Sequence, residues 1–144
     1  MNDQNVPQPP PPPGQRPSAA GQSSTGLDPK LAGLLCYILG IITGLIFFLI
    51  EKSNEVVRFH AAQSILFSGS MIVMWIVLTI LQFVILSISL SLGSIFSLLT
   101  MLLGLAVFVL WVVLLIKGYS GEKWKLPVIG DIAERMASGG QRMA

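Results

Sequence analysis

Arg58, His60 and Gln63 stand together where a charged stretch passes into a greasy one, in NEVVRFHAAQSILF (residues 54–67). An imidazole there can shuttle a proton if a nucleophile or carboxylate lies within reach. With two or three further ligands it can hold zinc. His60 is the only histidine and Cys36 the only cysteine, and no carboxylates fall at a spacing that completes either set. No HExxH, GxSxG, phosphate-binding loop or cysteine pair occurs. The residues therefore point to no catalytic group, no metal and no cofactor, and His60 reads as a buried hydrogen-bonding residue. Cys36 reads as a small packing residue, and alone it can form no intramolecular disulfide.

A helical placement sorts the border segment by face. At about 100° per residue, Val56, His60, Gln63 and Phe67 form one stripe. Polar groups turned to lipid would go unsatisfied, so His60 and Gln63 are expected to face protein. Arg58 falls nearly opposite, with Glu55 three residues earlier and close enough to pair with it. Arg58 is expected to snorkel to the headgroups and Phe59 to sit in the acyl border.

A second unusual segment follows the last apolar run: KGYSGEKWKLPVIGDIAERMASGG, residues 117–140. Tyr119 and Trp124, among Lys117, Lys123 and Lys125, make an aromatic and basic belt. Pro127 allows a helix to begin, and Val128, Ile129, Ile132, Ala133 and Met136 give it an apolar stripe next to Gly130. Asp131, Glu134 and Arg135 take its other face, with Asp131 and Arg135 at pairing distance. At about 10 residues such a helix is not stable alone in water, so it must dock. The two segments are expected to share one side of the membrane. There Glu55, Arg58, His60, Glu134 and Arg135 would meet in a polar cluster, with Arg58 and Glu134 as a candidate direct pair.

The elements that must carry these segments follow from composition. Of 144 residues, 53% are hydrophobic and 11% charged, with a mean hydropathy of +0.75. A soluble domain is about one quarter charged, so these side chains cannot cover a water-facing surface. Residues 61–116 contain no Asp, Glu, Lys, Arg or His, enough for two spans of roughly 20 residues each. The runs predict spans over residues 31–50, 65–86 and 95–116, with SISLSLGS (87–94) as the turn. The fold class is thus an all-α membrane protein: three transmembrane helices, a short cytoplasmic amphipathic helix over 127–137, and a Pro-rich N-terminal tail.

Asp28 and Pro29 suit the start of the first span. Within it Cys36, Gly40 and Gly44 recur every fourth residue, a spacing that lets another backbone approach, in this chain or a second copy. The competing reading is a re-entrant segment broken at its glycines. Residues 1–27 hold PQPPPPPGQRP and a Ser/Gly/Ala connector, read as a polyproline-rich disordered tail with no signal-peptide pattern. Residues 138–144 read as a flexible C-terminus. Counting Lys and Arg puts residues 51–64 and the C-terminal segment in the cytoplasm of a prokaryote, and the tail outside. The formal charge of +2, without an aromatic-interleaved basic patch, excludes a nucleic-acid partner. No small-molecule substrate is evident; the partners expected are the lipid bilayer and either itself or another membrane protein.

VVRFHAAQSILF followed, after two spans, by KLPVIGDIAERMA resembles the twenty-kilodalton subunit of the chloroplast inner-envelope protein import translocon and its small bacterial relatives of unknown function. The resemblance covers residues 31–137 and implies an all-helical core with Arg58-Phe59-His60 leading into a span. The plastid members look like four-span proteins, one more than this chain holds. Two functions are expected: a non-enzymatic accessory or scaffold subunit acting through its border motifs, or else a component of a translocation or transport system.

Overall fold

A computed structural model describes residues 23–139 as five helices. The Pro-rich reading of residues 1–22 and the C-terminal reading of 140–144 lie outside the described residues. The first helix, α1, covers Pro29–Ile38; the Asp28 side chain accepts from the Lys30 N–H at 2.8 Å, and Pro29 opens the first turn. Both are the predicted start signals.

The first apolar run does not cross the membrane as one helix. It breaks at Gly40, whose φ of +58° and ψ of −116° suit a residue without a side chain. A Cβ there would stand 2.6 Å from Ser68 Oγ. The chain restarts as α2, Ile41–Ile50. Each half has 10 residues, about 15 Å, half of the roughly 30 Å hydrocarbon core. The halves fold back on each other: Ser23 and Ser24, before α1, donate to the carboxylate of Glu51, after α2. The expected span over 31–50 is therefore a re-entrant hairpin with both ends on one side. Residues 23–27 accordingly lie on the side of residues 51–54, not across the membrane from them as charge counting predicted.

Opening orphan backbone groups inside lipid would be costly, and the break avoids it. The Cys36 carbonyl accepts from Ser64 Oγ (2.5 Å) and Thr43 Oγ1 (3.1 Å), and the Gly40 carbonyl from Ser64 Oγ (3.0 Å). Trp111 Nε1 donates to the Tyr37 carbonyl at 3.0 Å, which ties the hairpin to the last long helix.

The two long helices are α3, Glu55–Ile88, and α4, Leu90–Ser120. At 34 and 31 residues they are about 51 and 46 Å long, close to a bilayer with its headgroup regions. The span expected at 65–86 begins ten residues earlier, because Asn54 caps it by accepting from the Val56 and Val57 N–H groups. The expected turn over 87–94 shrinks to Ser89 alone, in an extended conformation. Gly93 then lies against Leu86, and Gln82 Nε2 donates to the Gly93 carbonyl at 3.1 Å.

Packing is concentrated at one end. Backbone meets backbone where α1 crosses α4, so a Cβ on Gly118 would stand 2.7 Å from the Gly33 carbonyl oxygen. Gly44 of α2 approaches α3 similarly, its Cβ position 3.1 Å from the Ala61 carbonyl oxygen. The last helix, α5, Ile129–Gly139, lays Ala133 and Ala137 on Phe59 and Ala62 of α3. It starts two residues after Pro127, and Gly130 allows the close return past Lys125. Along the far halves of α3 and α4, side chains such as Val73, Phe83, Ile95 and Leu105 are exposed over more than half of their surface. An apolar belt of this kind has lipid as its solvent.

The membrane-border site

The border cluster is built where α2 ends, α3 begins and α5 lies across them. Arg58 is buried, 8% exposed. Its Nη1 donates to the Glu51 carbonyl at 3.0 Å and its Nε to the Ala137 carbonyl at 3.2 Å, and the guanidinium stands 5.0 Å from the centre of the Phe48 ring. Those two carbonyls close the C-terminal ends of α2 and α5, where unpaired C=O groups and the helix dipole concentrate negative charge. The cation is held by two helix ends and an aromatic face. It does not snorkel to headgroups, and it pairs with neither Glu55 nor Glu134. Glu55 instead meets Lys123 at 2.8 Å, and Glu134 meets Lys125 at 2.6 Å. Asp131 also turns to Lys125, at 3.6 Å, rather than to the exposed Arg135. The hydrogen bond that Lys125 donates to Glu134, reinforced by the charge of Asp131, raises the Lys125 pKa.

Glu51 is the residue that sequence reasoning passed over. Its side chain is fully buried yet accepts from Ser23 Oγ, from Ser24 N and Oγ (3.0 and 2.9 Å), from Ser53 N and Oγ (both 3.0 Å) and from Asn54 N (2.9 Å). Burial opposes its charge, but the donors from Ser23, Ser24 and Asn54 outweigh burial and hold the carboxyl down at about 2. The available signal was small: an acid three residues before a cap-forming Asn, next to serines.

His60 and Gln63 do face protein. His60 Nδ1 lies 3.3 Å from the Tyr37 hydroxyl, and the imidazole meets Tyr37 and Phe59 edge-on. Gln63 Nε2 donates to the Trp124 carbonyl at 3.2 Å. The expected division into a protein face and a lipid face does not hold, because α3 is enclosed on every side from Val57 to Ser64. Phe59 is fully buried beneath α5 rather than placed in the acyl border.

The C-terminal residues have separate roles. Trp124 contributes its backbone carbonyl and leaves its ring partly exposed. Ile129 packs on the main core, while Glu134 and Arg135 lie outside the cluster around Arg58. Cys36 is buried with Sγ 4.0 Å from the Val57 carbonyl. Cys36, Gly40 and Gly44 all serve packing within the chain, although Gly40 does so as the break between helices. Among the described residues no three of His, Cys, Asp and Glu converge as a metal-binding group.

With this geometry, three curated relatives are informative. The chain is 45% identical to a UPF0132 membrane protein of Methanocaldococcus jannaschii, over 80% of this chain and 94% of that one. It is 40% identical to a second from the same organism, over 76% and 71% of the two chains. A UPF0132 membrane protein of Archaeoglobus fulgidus is 43% identical over 76% of this chain and 96% of its own. No solved structure matches. The model of the magnetosome magnetite crystal formation protein family matches residues 25–133. These findings overturn the resemblance to the chloroplast translocon subunit: the matches are to a different family of small membrane proteins. With that resemblance gone, nothing in these comparisons supports the polypeptide-translocation role that rested on it. The chain belongs to the magnetosome magnetite crystal formation protein family.

Proposed function

We propose that this protein is a non-enzymatic membrane scaffold that presents a charged helical face to a protein partner at one membrane surface. One observation carries the reading. Most buried polar groups of the border join elements: Arg58 two helix ends, Glu51 the hairpin's base, Ser64 the break and Gln63 Nε2 the 121–128 segment. Among the described residues, His60 Nε2 and Gln63 Oε1 are buried without a hydrogen-bond partner. What remains for recognition is the outer face of α5 and its approach, with Lys125, Asp131, Ile132 and Arg135 exposed. The family's description names a role in magnetosome magnetite crystal formation. For this chain, such a role would be that of a membrane-embedded organiser meeting other components through α5.

The same reading places the protein in the plasma membrane of a prokaryote with that face in the cytoplasm. The hairpin collects Lys30, Lys52, Lys117, Lys123, Lys125 and Arg135 at one end, while the Ser89 end carries no basic residue among those described. Clustered Lys and Arg mark the cytoplasmic side.

Photocrosslinking in native membranes tests the scaffold role. A photoreactive residue at position 132 or 135 should join a defined protein, either a second copy or one recurrent partner. The same probe at Ala133, which faces α3, should join this chain to itself internally. Crosslinks to lipid alone from positions 132 and 135 would sink the proposal.

A further inference from the structure

We infer that this protein is a leaflet-selective wedge, one that favours membranes curved so that the leaflet holding the α1–α2 hairpin is the convex one. The inference follows from where the hairpin stops. Its tip, Gly40, lies beside Ser68 of α3, ten residues beyond Arg58 and so about 15 Å along the helix. Ser68 is residue 14 of the 34 in α3, on the border side of its middle, so the tip stops within one half of the bilayer. The partner residue on α4, Trp111, meets Tyr37 of α1 at a comparable distance from that helix's near end. One leaflet therefore contains four helices side by side, and the other contains two.

The hairpin occupies lipid space as well as covering protein. Leu39, Ile42, Leu45 and Leu49 are exposed on its outer side, so it sits in the acyl region and displaces chains there. Two helices about 10 Å across add roughly 160 Å² of cross-section to that leaflet alone. In the other leaflet α3 and α4 touch only each other, through Trp75 against Gly104 and Leu86 against Gly93. No described element fills the difference there. A body wider in one leaflet is relieved of lateral compression when that leaflet expands. Bending with that leaflet on the convex side expands it.

The inference is independent of the scaffold proposal, since it needs no protein partner. Its test uses the full chain in both orientations. A Ser120→Cys variant carries a dye at the exposed end of α4, and the protein is reconstituted into giant vesicles. A membrane-impermeant quencher reports which end faces outward, and a thin tube is then drawn from each vesicle. Molecules with the hairpin end outward should concentrate on the tube, the tube-to-vesicle ratio rising above one as the tube narrows. Molecules with that end inward should be depleted from it. Equal partition of the two orientations would overturn the inference, as when a second copy fills the narrow half. Reversed partition would overturn it too.

Discussion

Val128 and Glu51 show how single residues are constrained at this border. Val128 has φ +69° and is 74% exposed. A β-branched side chain in the left-handed region is strained, and here no packing repays it. Val128→Gly should remove about 1–2 kcal/mol of strain, less about 0.4–1 kcal/mol for the looser unfolded chain. Thermal unfolding in detergent should show a higher midpoint for the variant, and an unchanged or lower one would mean that position 128 carries no net strain. Glu51 supplies a pH dependence. Its folded pKa, about 2, lies below the ordinary value of 4.5, so the fold favours the charged form. The stabilisation is complete above about pH 4.5 and is lost as pH falls toward about 2. Glu51→Gln keeps one carbonyl acceptor but no charge. It should be less stable at neutral pH and should flatten the acid side of the stability profile, measured as unfolding midpoint against pH.

At the scale of elements, the legible features were those set by local chemistry. Asp28-Pro29 announced α1, and the uncharged run announced α3 and α4. The apolar stripe announced a helix at α5 but not its docked face, since Val128 precedes the helix, Ile132 stays exposed, and Gly130, Ala133 and Ala137 are the buried residues. The hairpin was harder to see. Ten plus ten apolar residues read the same to hydropathy whether they cross a bilayer or turn back within it. The difference lies in the backbone of Gly40 and in long-range bonds from Ser64 and Trp111. Arg58 was legible as important but not as to its partners, because backbone carbonyls at helix ends leave no mark in side-chain spacing. Gly40→Ala tests the break directly. A Cβ there meets Ser68 Oγ at 2.6 Å, on a backbone that other residues rarely adopt. The variant should lose about 2 kcal/mol or more of stability. Any folded fraction should redistribute toward a continuous helix. Cysteines placed at Lys30 and Lys52 report this: in the parent chain an impermeant thiol reagent reaches both from the same side. Labelling from opposite sides in the parent would mean that the first segment spans.

Taken whole, the molecule is polarised along the membrane normal in three respects that share one cause. Charge, buried polar bonding and helix number all concentrate at the end where the hairpin and α5 assemble around the start of α3 and the finish of α4. The far end contains apolar side chains, a tight serine-capped turn and one interhelical side-chain bond, from Gln82. In the orientation proposed above, the hairpin returns its basic residues to the cytoplasmic side, in line with the positive-inside bias. A conventional first span would have split the basic residues between two sides. In intact cells, Ser89→Cys should therefore be labelled by an impermeant thiol reagent, and Ser120→Cys only after the membrane is opened. Cys36 is buried and should stay silent in both states. Adding two lysines beside Ser89 sets charge against charge. If K/R bias fixes the orientation, that variant should lose its uniform topology, and Ser120→Cys should become partly accessible from outside. A variant that stays uniformly oriented would mean that the assembled hairpin, rather than the charge bias, holds the protein in place.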